Sequence, residues 1–189
     1  VNLSKGRLGE LNSSLIGLFL VGKLSMAALS RTDMAEDKRK DFYLYIDEFQ
    51  NVTTDAIATI LSEARKYRLD MIIAHQFIGQ LKDEIKKAVF GNVGSQAAFR
   101  IGSEDAEFMA KQYAPVFGVQ DLLNVDNYNA YLKLLINGAT APPFSMKTYV
   151  PETGTAEMAE VVKEISRIKY GRPRTEIEAE IAARHNIPA

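Results

Sequence analysis

The sequence predicts an α/β protein in which a mostly parallel sheet is flanked by helices, with a β-hairpin and a helical C-terminal tail after it. Short apolar runs alternate with segments of helical periodicity, which is the pattern of strand–helix–strand units. The run Phe42–Ile46 has no polar alternation, as in a strand that is buried on both faces. We therefore predict an α/β domain over residues 1–150 and a helical tail over residues 151–189.

The composition is that of an ordinary globular chain without a global charge bias. Of the 189 residues, 47% are hydrophobic and 25% are charged, and the net charge is −1. Overall charge therefore gives no argument for binding nucleic acid or an anionic membrane. The chain has no cysteine, which excludes a disulfide scaffold and a cysteine-ligated metal site. It begins with Val1 and shows no signal-peptide pattern, so we interpret it as a fragment of a longer protein.

A long helix is expected over about residues 14–30, with Asn12, Ser13 and Ser14 as candidate N-cap residues. Its apolar run, Leu15–Gly22, has eight residues before Lys23. A membrane span needs about twenty. We therefore expect a buried core helix and no membrane contact from this part of the chain.

The same helix contains a near match to the pattern G-x-x-x-x-G-K-[ST] of a phosphate-binding loop. Gly17 to Lys23 fit its first seven positions, but Leu24 stands where the pattern needs a hydroxyl residue. The four intervening residues are Leu, Phe, Leu and Val, within a helical apolar run, and no strand comes directly before them. We interpret the segment as a helix with incidental glycines, and we find no phosphate loop in the chain.

Polar side chains follow the predicted strands, where ligands bind in an open α/β sheet. The strands and the polar residues at their ends are Phe42–Ile46 with Asp47 and Glu48, Asp70–Ala74 with His75 and Gln76, and Gln96–Ile101 with Arg100. On the residues alone, an alternative stays open in which Asp47 caps the next helix and Glu48 is a solvated turn residue.

The remaining elements follow from periodicity and turn residues. A helix after Thr53 or Thr54, as its cap, has a core face at helical spacing: Ile57, Ile60, Leu61, Ala64 and Tyr67. Further elements are helices over 79–89 and 103–113, a helical turn at Leu122, paired strands Tyr131–Ile136 and Phe144–Tyr149, and tail helices Ala156–Tyr170 and Thr175–His185.

Four segments, in this order and spacing, carry a resemblance to a known family: Tyr45–Asn51, Glu63–Leu69, His75–Leu81 and Phe99–Ala106. They resemble the HerA/FtsK branch of RecA-like P-loop motor ATPases, and within it the coupling ATPases of type IV secretion and conjugation. The tail, Arg167–Glu180, is also similar to the C-terminal part of such proteins. The resemblance implies a RecA-like P-loop NTPase fold, of which this chain would hold the Walker B half.

The resemblance also implies a function. It points to a ring-forming ATPase, usually a hexamer, that moves DNA or a nucleoprotein through its channel. Such a protein is cytoplasmic and reaches the cytoplasmic face of the membrane through N-terminal segments outside this chain. Secretion-apparatus or relaxosome proteins would be its further partners. ATP and Mg²⁺ are the implied cofactors, and both would need the missing phosphate loop.

Carried over by position, the resemblance assigns roles to five residues. Asp47 would hold Mg²⁺ through water, Glu48 would be the general base, and Gln76 would sense the γ-phosphate. Arg65 would reach a neighbour's nucleotide as an arginine finger, and Arg100 is the second candidate for that role.

Each role has an alternative. Arg65 is otherwise a solvated residue at a helix end, Arg100 forms an ion pair with Glu104 or Asp105, and Gln76 satisfies a loop carbonyl. The lysines Lys82, Lys86 and Lys87 either line a DNA channel or form a solvated helix face. Two other functions stay open: a HerA-like DNA translocase in end processing, and a non-catalytic adaptor on a decayed motor fold.

Overall fold

The computed structural model describes residues 1–53 and 55–185, so the cap candidate Thr54 lies outside the described residues. The chain divides into two compact units, Val1–Thr148 and Tyr149–Ala189. The helices are α1 (Lys5–Leu8), α2 (Glu10–Leu29), α3 (Asp55–Glu63), α4 (Asp83–Asn92), α5 (Ser103–Tyr113), α6 (Val119–Leu123), α7 (Ala156–Tyr170) and α8 (Arg174–His185). The strands are β1 (Phe42–Ile46), β2 (Leu69–Ile73), β3 (Gln96–Ala98), β4 (Asn129–Lys133), β5 (Leu135–Ile136), β6 (Ala139–Thr140) and β7 (Phe144–Lys147).

Strands β1 and β2 pair in parallel, with Phe42 opposite Leu69 and Ile46 opposite Ile73. The α/β class is therefore confirmed. The expectation that β1 is buried on both faces is wrong, because Tyr43 and Tyr45 are 58% and 73% exposed. The strand has a period of two instead: its tyrosines face outward, and Leu44 and Ile46 are half-buried.

The third predicted strand does not join this pair. Strand β3 pairs antiparallel with β4, which pairs antiparallel with β7 on its other side. The Ser95 hydroxyl extends this pairing, since it accepts a hydrogen bond from the Leu135 N–H at 3.0 Å. Among the described residues, parallel pairing is thus limited to β1 and β2, and a mostly parallel sheet is not shown.

The predicted pairing of the two later strands is confirmed by the β4–β7 ladder. Strands β5 and β6 form a further two-stranded hairpin. Asn137 and Gly138, at its turn, both have positive φ, at 51° and 81°, as a tight two-residue hairpin turn requires.

Two apolar clusters hold the strand ends in place. The first joins the turn after β1 to helices α2, α3 and α4, and its members are Val21, Phe49, Val52, Ile57, Leu81, Ile85 and Val89. The second joins the loop after β2 to β3, α5 and α6, and its members are Ile78, Ala98, Ala106, Met109, Tyr113 and Leu122. The predicted core face of α3 is confirmed, with Ile57 fully buried and Ile60 and Leu61 packed against the first cluster. The turn after β1 and the loop after β2 are therefore each anchored in an apolar core.

Helix α2 begins at Glu10, earlier than expected, because Gly9 adopts a positive φ of 76° directly before it. Ser13 consequently lies inside the helix rather than at its cap, and its hydroxyl donates to the Leu3 carbonyl. The expectation of a buried core helix is wrong for most of its surface. The buried side consists mainly of small residues, whereas Leu11, Phe19 and Met26 are 72%, 71% and 64% exposed.

Within the described residues, one helical stretch is long and apolar enough to cross a membrane by length and composition. It spans Glu10–Asp33, its most apolar window has a mean hydropathy of 1.6, and 28% of that window is buried within the protein. The count of eight uninterrupted apolar residues therefore underestimated this segment. Core helices of soluble proteins and signal sequences also meet these criteria.

The second unit contains the two tail helices, and the bounds predicted for α7 are confirmed. Thr155 caps α7, since its hydroxyl accepts a hydrogen bond from the Met158 N–H at 3.2 Å. The arginines of the second unit form exposed ion pairs with nearby glutamates, as expected for a solvated tail. The pairs are Arg167 with Glu164, Arg172 with Glu176 and Glu180, and Arg174 with Glu178.

The two glycines of the near-match motif provide a matched pair of substitutions. A Cβ atom at Gly17 would collide with Cγ1 of Val52, which is buried, whereas one at Gly22 would meet nothing within 4 Å. We expect Gly17→Ala to destabilise the protein by about 1–2 kcal/mol, because overpacking outweighs the gain in helix propensity. Gly22→Ala should stabilise it by about 0.5–1 kcal/mol. Urea unfolding of both variants measures this, and a Gly17→Ala protein as stable as the parent would contradict the packing described for α2.

Candidate functional site

A cleft of about 890 Å³ lies between the carboxyl end of β1 and the N-terminal segment with α2. Of the residues at the strand ends, Asp47, Glu48, Gln50 and Gln76 line it. Parallel pairing of β1 with β2 accounts for this grouping, since parallel strands deliver their carboxyl ends to the same edge.

Glu48 makes a sharp turn directly after β1. Its backbone is left-handed, with φ 50° and ψ 47°, a conformation that costs a residue other than glycine about 1–2 kcal/mol. Phe49 follows with its side chain fully buried, and its N–H donates to the Ala74 carbonyl at 2.9 Å. The Ala74 N–H in turn donates to the Ile46 carbonyl at 2.9 Å. The turn is therefore fixed by core packing and by backbone bonds to the end of β2.

Two amide groups hold the Glu48 carboxylate. Nε2 of Gln76 donates to Oε1 at 2.6 Å, and Nε2 of Gln50 donates to Oε2 at 2.6 Å. Glu48 is a half-buried turn residue whose carboxylate is held by these two bonds, and Gln76 donates to a carboxylate rather than a loop carbonyl. A carboxylate has about four acceptor positions, so one on each oxygen is left for another donor.

Sequence reasoning missed Gln50. It lies two positions after Glu48, and only the left-handed turn brings it back to the carboxylate. Its own Oε1 is buried and has no hydrogen-bond partner within residues 1–53 and 55–185. The only indication of this contact in the sequence is an amide side chain near an acidic pair.

Asp47 lines the cleft and is exposed. Its Oδ1 accepts a hydrogen bond from the Glu48 N–H at 3.0 Å, so it supports the turn after β1. Asp47 thus gives the cleft an exposed carboxylate of the kind that holds Mg²⁺ through its water ligands. This side chain therefore fits the outer shell of a hydrated Mg²⁺ ion.

The cleft does not by itself fit the phosphates of a nucleotide. The cation in its lining is Lys5, whose Nζ pairs with Glu10 at 2.9 Å. Phosphate binding needs a row of N–H donors or a helix N-terminus aimed at the oxygens. The near-match motif is inside α2, whose backbone amides are used in the helix, so it does not provide that row.

The two candidate arginines lie away from this cluster. Arg65 is exposed in the turn before β2, at the amino end of the parallel pair. This places it about one strand length, roughly 16 Å, from the edge with Glu48. Arg100 follows β3 in the other sheet and contacts Asn127 Oδ1 at 3.4 Å. Neither lines the cleft as residues 1–53 and 55–185 define it.

The predicted ion pair of Arg100 with Glu104 or Asp105 is not found among the described residues, since Arg100 contacts Asn127 and the buried Asp105 accepts a hydrogen bond from the Ile78 N–H at 3.0 Å. Of the three lysines, Lys82 and Lys87 are exposed, and Lys86 Nζ lies 4.1 Å from the centre of the Phe108 ring. Lys86 therefore makes a cation–π contact with the Phe108 ring.

His75 follows β2 directly before Gln76, and the carboxylates of Asp105 and Glu48 act on its ring electrostatically. Burial lowers the pKa of its imidazole below the ordinary value of 6.5, and the two carboxylates oppose that shift by favouring the charged ring. The net direction is downward, so the ring is neutral at neutral pH.

Residues 1–53 and 55–185 contain no group of three or more His, Asp or Glu side chains arranged to hold a metal ion directly.

The described residues define an α/β protein in which an acidic strand end meets the amide of the neighbouring strand end. Residues 41–130, just under half of the chain, match a family model described as the TraM recognition site of TraD and TraG. This match supports a relationship between the chain and conjugative coupling proteins. No curated protein matches the chain.

The lowered pKa of His75 predicts a pH dependence of stability. As the pH falls through 6.5, the unfolded chain binds a proton at this residue before the folded chain does. The contribution of His75 to the free energy of unfolding should therefore be largest above this pH and should decrease below it. Comparing urea unfolding at about pH 7.5 and about pH 5.5 for the parent and His75→Gln isolates this part of the dependence. The loss on acidification should be smaller in the variant, and an equal loss in both proteins would count against the shift.

Proposed function

We propose that this chain is the C-terminal part of a DNA-translocating motor ATPase of the conjugative coupling type, which works as a ring with ATP at the subunit interfaces. The observation that carries the proposal is the contact of Glu48 with Gln76 at the carboxyl ends of two parallel strands. The relationship to coupling proteins supports it independently. In this proposal the protein works at the cytoplasmic face of the membrane.

Glu48 suits the role of general base. Its side chain is fixed by two amides, yet each oxygen keeps an acceptor position for a water molecule. A base held in position can take the proton from water as that water attacks a phosphoryl group. The side-chain amide of Gln76 donates to Oε1 of Glu48. A ligand that takes over this amide as its own donor would therefore remove one of the two bonds that hold the carboxylate.

ATP and Mg²⁺ belong to the proposal as cofactors of the complete motor. Asp47 would hold the ion through its water ligands, and the ion would supply charge neutralisation at the phosphates. The phosphates themselves would need a binding loop that residues 1–53 and 55–185 do not supply.

The position of Arg65 supports a role between subunits. It is exposed at the edge of the parallel pair opposite to Glu48, so it is available to a neighbouring copy but not to the cleft of its own chain. A guanidinium supplied in this way makes hydrolysis depend on assembly. Arg100 is the second candidate, since its contact with Asn127 is long and exposed.

Substitution of Glu48 and Arg65 tests the proposal on the complete protein. Glu48→Gln should lower kcat for DNA-stimulated ATP hydrolysis by about 10²-fold or more while ATP still binds, because the general base is lost. Arg65→Ala should lower kcat by on the order of 10³-fold. Lys66→Ala is the matched control for Arg65, because Lys66 is exposed in the same turn, and it should keep its activity.

Mixing the two inactive variants separates a role between subunits from a role within one chain. Mixed rings contain interfaces in which an intact Glu48 faces an intact Arg65 of the neighbour, so activity should partly return. Absence of recovery at every mixing ratio would overturn the role of Arg65, and turnover by Glu48→Gln equal to that of the parent would overturn the role of Glu48.

A partner-binding role is the second candidate, and the description of the matched family favours it. That description concerns recognition of TraM by TraD and TraG, and the family model matches residues 41–130 of this chain. We propose that the same residues bind a TraM-like partner. Calorimetric titration of the chain with the TraM protein of its own conjugation system tests this. Binding without any ATPase activity of the complete protein would favour the non-catalytic adaptor.

A further inference from the structure

The loop that carries Gln76 is attached to the rest of the protein at two points. At its start, Ala74 exchanges backbone hydrogen bonds with Ile46 and Phe49 at the end of β1, each at 2.9 Å. Four residues later, the Ile78 N–H donates to Oδ2 of Asp105 at 3.0 Å. Gln76 lies midway between these two attachments, two residues from each.

The second attachment comes from a different part of the fold. Asp105 belongs to the first turn of α5 and is 8% exposed. The residue after it, Ala106, is fully buried in the second apolar cluster, which also contains Ile78. Core packing therefore holds both the carboxylate and the amide in place, and the bond between them is shielded from water.

A buried carboxylate is costly unless hydrogen bonds satisfy it, and a bond from an N–H to a charged acceptor is stronger than one to a neutral acceptor. The Asp105–Ile78 bond therefore restrains the loop more than an ordinary turn contact would. The 3-10 turn Ile78–Gln80 starts at the restrained residue and helix α4 follows it, so the restraint also sets where the loop ends.

We propose that Asp105 is a positioning residue for the site, which holds the Ile78 amide and thereby keeps the Gln76 side chain against Glu48. The effect of Asp105 on ATP turnover rests on the proposed function, whereas its effect on the conformation of the loop does not. Asp105 does not itself line the cleft, and its carboxylate bonds to the loop that carries Gln76.

Three variants separate positioning from simple destabilisation. Asp105→Ala removes the acceptor, and Asp105→Asn keeps an acceptor oxygen with nearly the same shape. Asp121→Ala is a control for the loss of a carboxylate acceptor away from the site, because Oδ2 of this exposed residue accepts from the Gly118 N–H at 2.7 Å at the start of α6.

The first measurement is amide hydrogen exchange by NMR, together with the side-chain amide signals of Gln76. Asp105→Ala should speed exchange at Ile78 by about tenfold or more and shift the Gln76 side-chain signals, while amides in the middle of α5 keep their protection. Asp105→Asn should restore most of the protection, and Asp121→Ala should leave the loop unchanged. Unchanged exchange at Ile78, or exchange that rises equally along α5, would overturn the proposal.

The second measurement is ATP hydrolysis by the complete protein. Asp105→Ala should lower kcat by about 10- to 100-fold and leave KM for ATP nearly unchanged, because a misplaced loop impairs turnover more than binding. Full kcat with a loosened loop would overturn the positioning role. If the parent protein does not hydrolyse ATP, the proposed function is wrong, and the exchange at Ile78 with the Gln76 signals alone decides the role of Asp105.

Discussion

The parallel pairing of β1 with β2 is the constraint on which the rest of the first unit depends. It delivers Glu48 and Gln76 to one edge of the sheet, and the backbone bonds of Ala74 continue the pairing beyond the strands. The left-handed turn at Glu48 is tolerated because Phe49 is fully buried directly after it. Core packing thus stabilises a strained turn that holds a carboxylate at the rim of the cleft.

The site combines groups from both apolar clusters. The turn after β1 is anchored in the first cluster through Phe49, and the loop after β2 is anchored in the second through Ile78. A movement of one cluster against the other would therefore change the Glu48–Gln76 contact.

Patterns that report local structure were sufficient for much of the fold. The acidic pair after an apolar run and the amide after the next run predicted neighbouring side chains, and the helical spacing in α3 predicted its core face. Strand pairing was predicted less well, because the sequence of β3 does not indicate whether it pairs with β2 or, as found, with β4. The contacts of Gln50 and Asp105 were also missed, since they depend on a positive φ at Glu48 and on the packing of α5. Such long-range and conformation-dependent contacts leave no periodic signal in the residues.

The central claim is that the two strand ends are energetically linked through their side chains. A double-mutant cycle on the free energy of unfolding, with Glu48→Gln, Gln76→Leu and the double variant, tests this claim most directly. We expect a coupling energy of at least about 0.5 kcal/mol, because the amide donates to a charged acceptor at 2.6 Å. Strict additivity of the two substitutions would contradict the account, since it would mean that Glu48 and Gln76 do not interact in the folded protein.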